Sequence, residues 1–72
     1  MDGYAVRFAD GPGPWRLIGQ SAAGAAFSGA MGPGDTVRIF TGAALPQGAD
    51  TVIMQEDMRA EGDIIHLSAP LD

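Results

Sequence analysis

Gly32-Pro33-Gly34-Asp35-Thr36-Val37-Arg38-Ile39-Phe40-Thr41 is the stretch whose reading decides the fold. Pro33 presets the backbone at one central turn position and Gly34 tolerates positive φ at the next, so residues 32–35 read as a turn. The segment after it, Thr36 to Thr41, alternates Val37 and Ile39 on one face with Arg38 and Phe40 on the other, and its β-branched residues favour extended backbone. A tight turn feeding a short two-faced strand is the unit in which the rest of the chain is written.

Toward the N-terminus, Gly3 to Phe8 sets Tyr4, Val6 and Phe8 against Ala5 and Arg7, the period of two expected of a strand. Asp10-Gly11-Pro12-Gly13-Pro14 is a loop, since its two prolines lack an amide donor. Trp15 to Gln20 reads as a second strand. Ser21 to Ala30 has helical composition, but Gly24 and Gly29 each cost about 1 kcal/mol relative to Ala inside a helix, so the segment is expected to be irregular. Toward the C-terminus, Leu45-Pro46-Gln47-Gly48 is another turn, Thr51 to Glu56 a fourth strand and Asp63 to Ala69 a fifth. Ala60-Glu61-Gly62-Asp63 is read as the hairpin loop that pairs these last two antiparallel. Five short strands with Gly and Pro turns and no helix predict an all-β module, a small barrel-like or bifurcated sheet, with residues 1–72 forming one unit.

Composition says that such a core is thin. Of 72 residues, 12 are Ala and only 15 are Leu, Ile, Val or Phe, just above the roughly 20% below which charged chains stay disordered. A chain of this size buries about 60% of its unfolded surface and often needs a staple or a neighbour. There is no Cys, which removes disulfides and thiolate metal sites, and one His excludes a multi-histidine cage. A neighbour is the remaining option. The chain opens directly on a strand pattern at Met1-Asp2-Gly3 and stops just after another, as a piece of a larger multidomain protein would. The net charge of −5, with four Arg and no Lys, has the wrong sign for nucleic acid or an anionic membrane surface. No apolar run approaches a membrane span and the N-terminus has no signal-peptide pattern, so a cytoplasmic location is expected.

Glycine-rich phosphate loops and dinucleotide fingerprints are missing, and Gly19-Gln20-Ser21-Ala22-Ala23 lacks the closing glycine of a nucleophile elbow. Asp2-Gly3 has two readings, a turn or cap, or a carboxylate at the edge of a cleft. Thr41-Gly42-Ala43 follows the third strand, where turn formation competes with presentation of a hydroxyl and free amides to a ligand. Arg7 and Arg38 fall mid-strand opposite the main apolar positions and read as solvated or ion-paired outer-face groups, though Arg is the one available clamp for an anion. Glu56 and Asp57 point to opposite sides if the fourth strand continues, against a shared-proton pair. His66 with scattered carboxylates is a weak metal signal.

Three blocks taken together carry a stronger signal: Met1-Asp2-Gly3-Tyr4-Ala5-Val6-Arg7, Arg38-Ile39-Phe40-Thr41-Gly42-Ala43, and Pro46-Gln47-Gly48-Ala49-Asp50-Thr51-Val52-Ile53-Met54-Gln55-Glu56. In this order and spacing they resemble the N-terminal region of molybdopterin molybdenumtransferase, the MoeA family, which includes the E domain of gephyrin. The resemblance runs over residues 1–69. It implies insertion of molybdenum from molybdate into adenylylated molybdopterin with release of AMP, assisted by a divalent metal such as Mg²⁺. It further implies a dimer whose cleft lies between this region of one subunit and a larger α/β domain of the other. That domain lies outside these residues, as do the helical segment and the C-terminal barrel that flank this region in the family. By the same resemblance, Asp2 and Thr41 are the cleft-facing carboxylate and hydroxyl and are assigned as catalytic. Asp2 would orient a metal or water, and Thr41 with the Gly42 amide would bind an oxyanion. Glu56 matches the family's Gln-Glu pair, and its local sequence does not assign it a role. The 72-residue chain alone is expected to be inactive. The competing expectation is a non-catalytic interaction or dimerisation module.

Overall fold

The computed structural model describes residues 2–11 and 13–68. Met1, Pro12 of the first expected loop, and Ala69 at the end of the last expected strand lie outside them. Among the described residues six strands form: β1 Gly3–Val6, β2 Trp15–Ser21, β3 Asp35–Ile39, β4 Thr51–Met54, β5 Met58–Glu61 and β6 Ile64–Leu67. They make one curled sheet in the order β4-β1-β3-β2-β6-β5, an open half-barrel. The all-β expectation holds, with one strand more than the five expected.

Neighbouring strands are antiparallel except β2 and β3, which run parallel. A parallel pair needs a long crossover. Residues 22–34 supply it without a helix, as Gly24 and Gly29 led us to expect, and they place Phe27 and Met31 against one face of the sheet. That face carries Ala5, Val37 and Ile39. The opposite face carries Val6, Trp15 and Ile53, with Met58 and Leu67 packed on them. Since neighbouring residues of a strand point to opposite faces, β1 is buried on both sides. The alternation of Tyr4 with Ala5 is therefore not one of buried with exposed.

Two expectations change. Phe8 does not continue β1; it starts a single 3₁₀ turn, Phe8–Asp10, and is exposed. The fourth and fifth expected strands do not pair. A 3₁₀ turn at Gln55–Asp57 ends β4, which bonds to β1 and forms one edge of the sheet. The chain then reverses into β5, which pairs with β6 from Met58↔Leu67 to Glu61↔Ile64 across the two-residue turn Gly62-Asp63. β5 carries only a weak strand signal, because Met58-Arg59-Ala60-Glu61 alternates over just four residues and has no β-branched or aromatic side chain. Its pairing partner, rather than its own side chains, makes it a strand.

Candidate functional site

Asp2 stands one residue before β1 and Thr41 two residues beyond β3, and β1 and β3 are adjacent, with Gly3 opposite Ile39. Both positions therefore arrive at the same end of the sheet. Asp2 Oδ1 accepts the backbone amide of Thr41 at 3.1 Å and its hydroxyl at 3.2 Å. The structure thus brings together the two side chains assigned as catalytic. It also shows that Asp2-Gly3 is not a turn. Gly3 is the first residue of β1, where a Cβ would lie 2.6 Å from the carbonyl oxygen of Ile53. The close approach of β1 and β4 demands glycine beside the carboxylate.

Thr41 and Gly42 occupy the corner of a turn closed by the Ala43 amide donating to the Phe40 carbonyl at 2.9 Å. Gly42 has φ +84°, and among the described residues no non-glycine has positive φ, Thr41 included, which defines a type II turn with its obligatory glycine. Ser21 braces this loop from the end of β2. Its buried hydroxyl donates to the Ala44 carbonyl and accepts the Phe27 amide. Because Thr41 gives both of its donors to Asp2, the donor left to the turn is the Gly42 amide, which bonds to no other described residue.

Of the two readings of Arg38, solvated or ion-paired, the structure gives the ion-paired one, with the side chain half-buried beside Asp2. The β1–β3 register sets it opposite Tyr4, and Phe40 follows two residues later on the same face. Its guanidinium lies 5.1 Å from the Tyr4 ring centre and 5.2 Å from that of Phe40. Nη1 donates to the Tyr4 hydroxyl at 3.3 Å, Nη2 donates to Gln55 Oε1, and Nη2 stands 3.9 Å from Asp2 Oδ2. Gln55 closes the circuit, its backbone N–H donating to the Asp2 carbonyl at 3.2 Å. Tyr4, Arg38, Phe40, Gln20 and Asp63 also line an open groove of about 540 Å³. Sequence reasoning missed Tyr4, Arg38 and Gln55 as a group. The legible signal was parity, an Arg two residues before a Phe on one strand face, but its partners depended on the register.

Glu56 is exposed, one residue past Gln55 in the 3₁₀ turn, so the geometry that would set it opposite Asp57 in a strand does not arise. His66 sits 3.3 Å from Glu61 on the β5–β6 hairpin. Among the described residues no three His, Asp or Glu side chains gather to hold a metal ion. With one Asp2 oxygen committed to Thr41, these residues do not by themselves fit a Mg²⁺ site. No helix of the described residues is long and apolar enough to cross a membrane.

Comparison with known proteins then decides the family. The family model for the MoeA N-terminal region, domains I and II, matches residues 1–70. The chain belongs to the MoeA family. It is 39% identical over 74 residues to the molybdopterin molybdenumtransferase of Nostoc sp., covering 93% of this chain and 17% of that one. The Haemophilus influenzae molybdopterin molybdenumtransferase is 45% identical over 65 residues, covering 88% of this chain and 16% of that one. Among solved structures, the molybdopterin biosynthesis MoeA protein of Pyrococcus horikoshii superposes with a TM-score of 0.86 at 33% identity, covering 100% of this chain and 21% of that one. The chain thus spans about a fifth or less of the length of these MoeA relatives.

Proposed function

We propose that this MoeA segment forms one wall of the cleft in which a molybdopterin molybdenumtransferase inserts molybdenum from molybdate into adenylylated molybdopterin. The observation that carries this reading is the paired donation of the Thr41 amide and hydroxyl to Asp2 Oδ1. A carboxylate locked on a type II turn is a rigid polar pair at a sheet end, and exposed Gly42 beside it has an amide without a partner among the described residues, a donor suited to an oxyanion such as molybdate or phosphate. In this reading Asp2 orients the reacting groups, Thr41 fixes the Asp2 carboxylate and offers its hydroxyl lone pairs, and Gly42 binds oxyanion. A Mg²⁺ ion assisting the reaction would draw most of its ligands from polypeptide beyond these residues. So would the opposite wall, from a second subunit of a cytoplasmic dimer.

It follows that the 72-residue chain by itself lacks transferase activity. The test is AMP release from adenylylated molybdopterin, measured for the chain alone and for a chimaera. In the chimaera, residues 1–70 replace the matching region of the Haemophilus influenzae relative. Turnover by the chimaera and none by the chain supports the reading. Turnover by the chain alone contradicts it. Asp2→Asn or Thr41→Ala that dissolves the dimer while sparing turnover per dimer favours an interaction module instead.

A further inference from the structure

We infer that Arg38 is a positioning residue of this site, holding the Asp2 carboxylate in register with Thr41; the inference rests on the reading just given. An aspartate χ2 torsion is broad and nearly two-fold, so hydrogen bonds to one oxygen alone leave the carboxylate plane free to rock. Asp2 Oδ1 is taken by Thr41, and the group that faces Oδ2 is Arg38 Nη2, 3.9 Å away. That distance is too long for a hydrogen bond and within reach of charge attraction.

What makes this cation a reference point is that three elements hold it. β1 gives the Tyr4 hydroxyl, the turn after β3 gives the Phe40 ring, and the turn after β4 gives Gln55 Oε1. Gln55 also binds the Asp2 carbonyl, so backbone and carboxylate of Asp2 are tied to the same pair of residues. An ion pair between side chains 27% and 33% exposed adds little to stability. Arg38 Nε is moreover buried without a partner among the described residues, an arrangement that costs stability. The contribution of Arg38 is therefore orientation. Lysine carries the charge but lacks the planar fork that binds Tyr4 and Gln55 together.

The test uses the chimaera with Arg38→Met, Arg38→Lys and Asp2→Asn, reading kcat and the KM for molybdate together with the ¹H–¹⁵N resonance of the Thr41 amide. Arg38→Met is expected to lower kcat by about 10- to 100-fold, the range for displaced reacting groups, with KM near that of the unaltered chimaera. It is also expected to move the Thr41 amide resonance toward its position in Asp2→Asn, and Arg38→Lys to recover part of both effects. Should Arg38→Met fail to fold, Gln55→Ala frees the guanidinium without removing the cation and gives a smaller change in the same direction. Unchanged kcat and an unmoved Thr41 resonance in Arg38→Met, beside a dead Asp2→Asn, overturn the positioning role alone. An active Asp2→Asn overturns the site reading and this inference with it.

Discussion

Asp2 and Asp50 show how much one carboxylate does in a chain with few strong contacts. Asp50 Oδ1 accepts the Phe8 amide and the Thr51 hydroxyl, each at 2.9 Å, pinning the exit of β1 to the entry of β4. The Phe8 amide first, the Thr51 hydroxyl next and nearby Arg7 hold its carboxyl below the ordinary carboxylate value. Its folded value lies below its unfolded one, so the stability it adds is present above about pH 4 and is lost as pH falls through the folded value. Asp50→Asn is expected to flatten the acid limb of a stability-against-pH curve below about pH 4 while leaving its neutral shape intact. Urea midpoints followed by fluorescence of Trp15, the one tryptophan and 1% exposed, check this. At Gly42, φ +84° places any side chain in the left-handed region. Gly42→Val is expected to cost about 1–2 kcal/mol in the same measurement, and to weaken the Thr41 contacts with Asp2.

Strand content was legible where bulky apolar or β-branched residues recurred every second position, as in β3, and illegible where Met58 and Ala60 alone alternated and pairing with a neighbour completed the strand. β3 followed from the turn before it and from Val37 and Ile39, and both side chains are buried. β5 could not be read from Met58-Arg59-Ala60-Glu61, since its order comes from β6. The turn carrying Gly42 was visible in Thr41-Gly42-Ala43, and so was the carboxylate of Asp2. Their contact was not, because it depends on β1 lying beside β3, a pairing between segments over thirty residues apart. Resemblance supplied the link that periodicity could not. Strands β4 and β5 are the sheet edges and β1 and β3 lie inside. Hydrogen exchange is expected to be slowest for amides of β1 and β3 and faster in β5, which has one neighbour and mostly exposed side chains. Equal protection in β5 and β3 would show that a covered edge, not a free one, exists in solution.

Across the whole molecule, a sheet carrying two small apolar clusters on opposite faces has little stability to spare. Trp15 joins Val6 and Ile53 in one cluster and pairs with Ile65 across the ladder. Trp15→Ala is expected to cost about 3–5 kcal/mol, as much as a domain of this size commonly has, and so to abolish cooperative unfolding. Followed by far-UV circular dichroism, a retained sigmoidal transition would show that the core is less dependent on this residue than its burial indicates.

A double-mutant cycle on turnover by the chimaera, with Asp2→Asn, Thr41→Val and both together, tests the pair as a unit. If the two side chains act as one device, the double variant is no slower than the slower single one, both singles being well below the unaltered protein. Losses that multiply, or single variants with full turnover, would show that the contact between them plays no part in the chemistry.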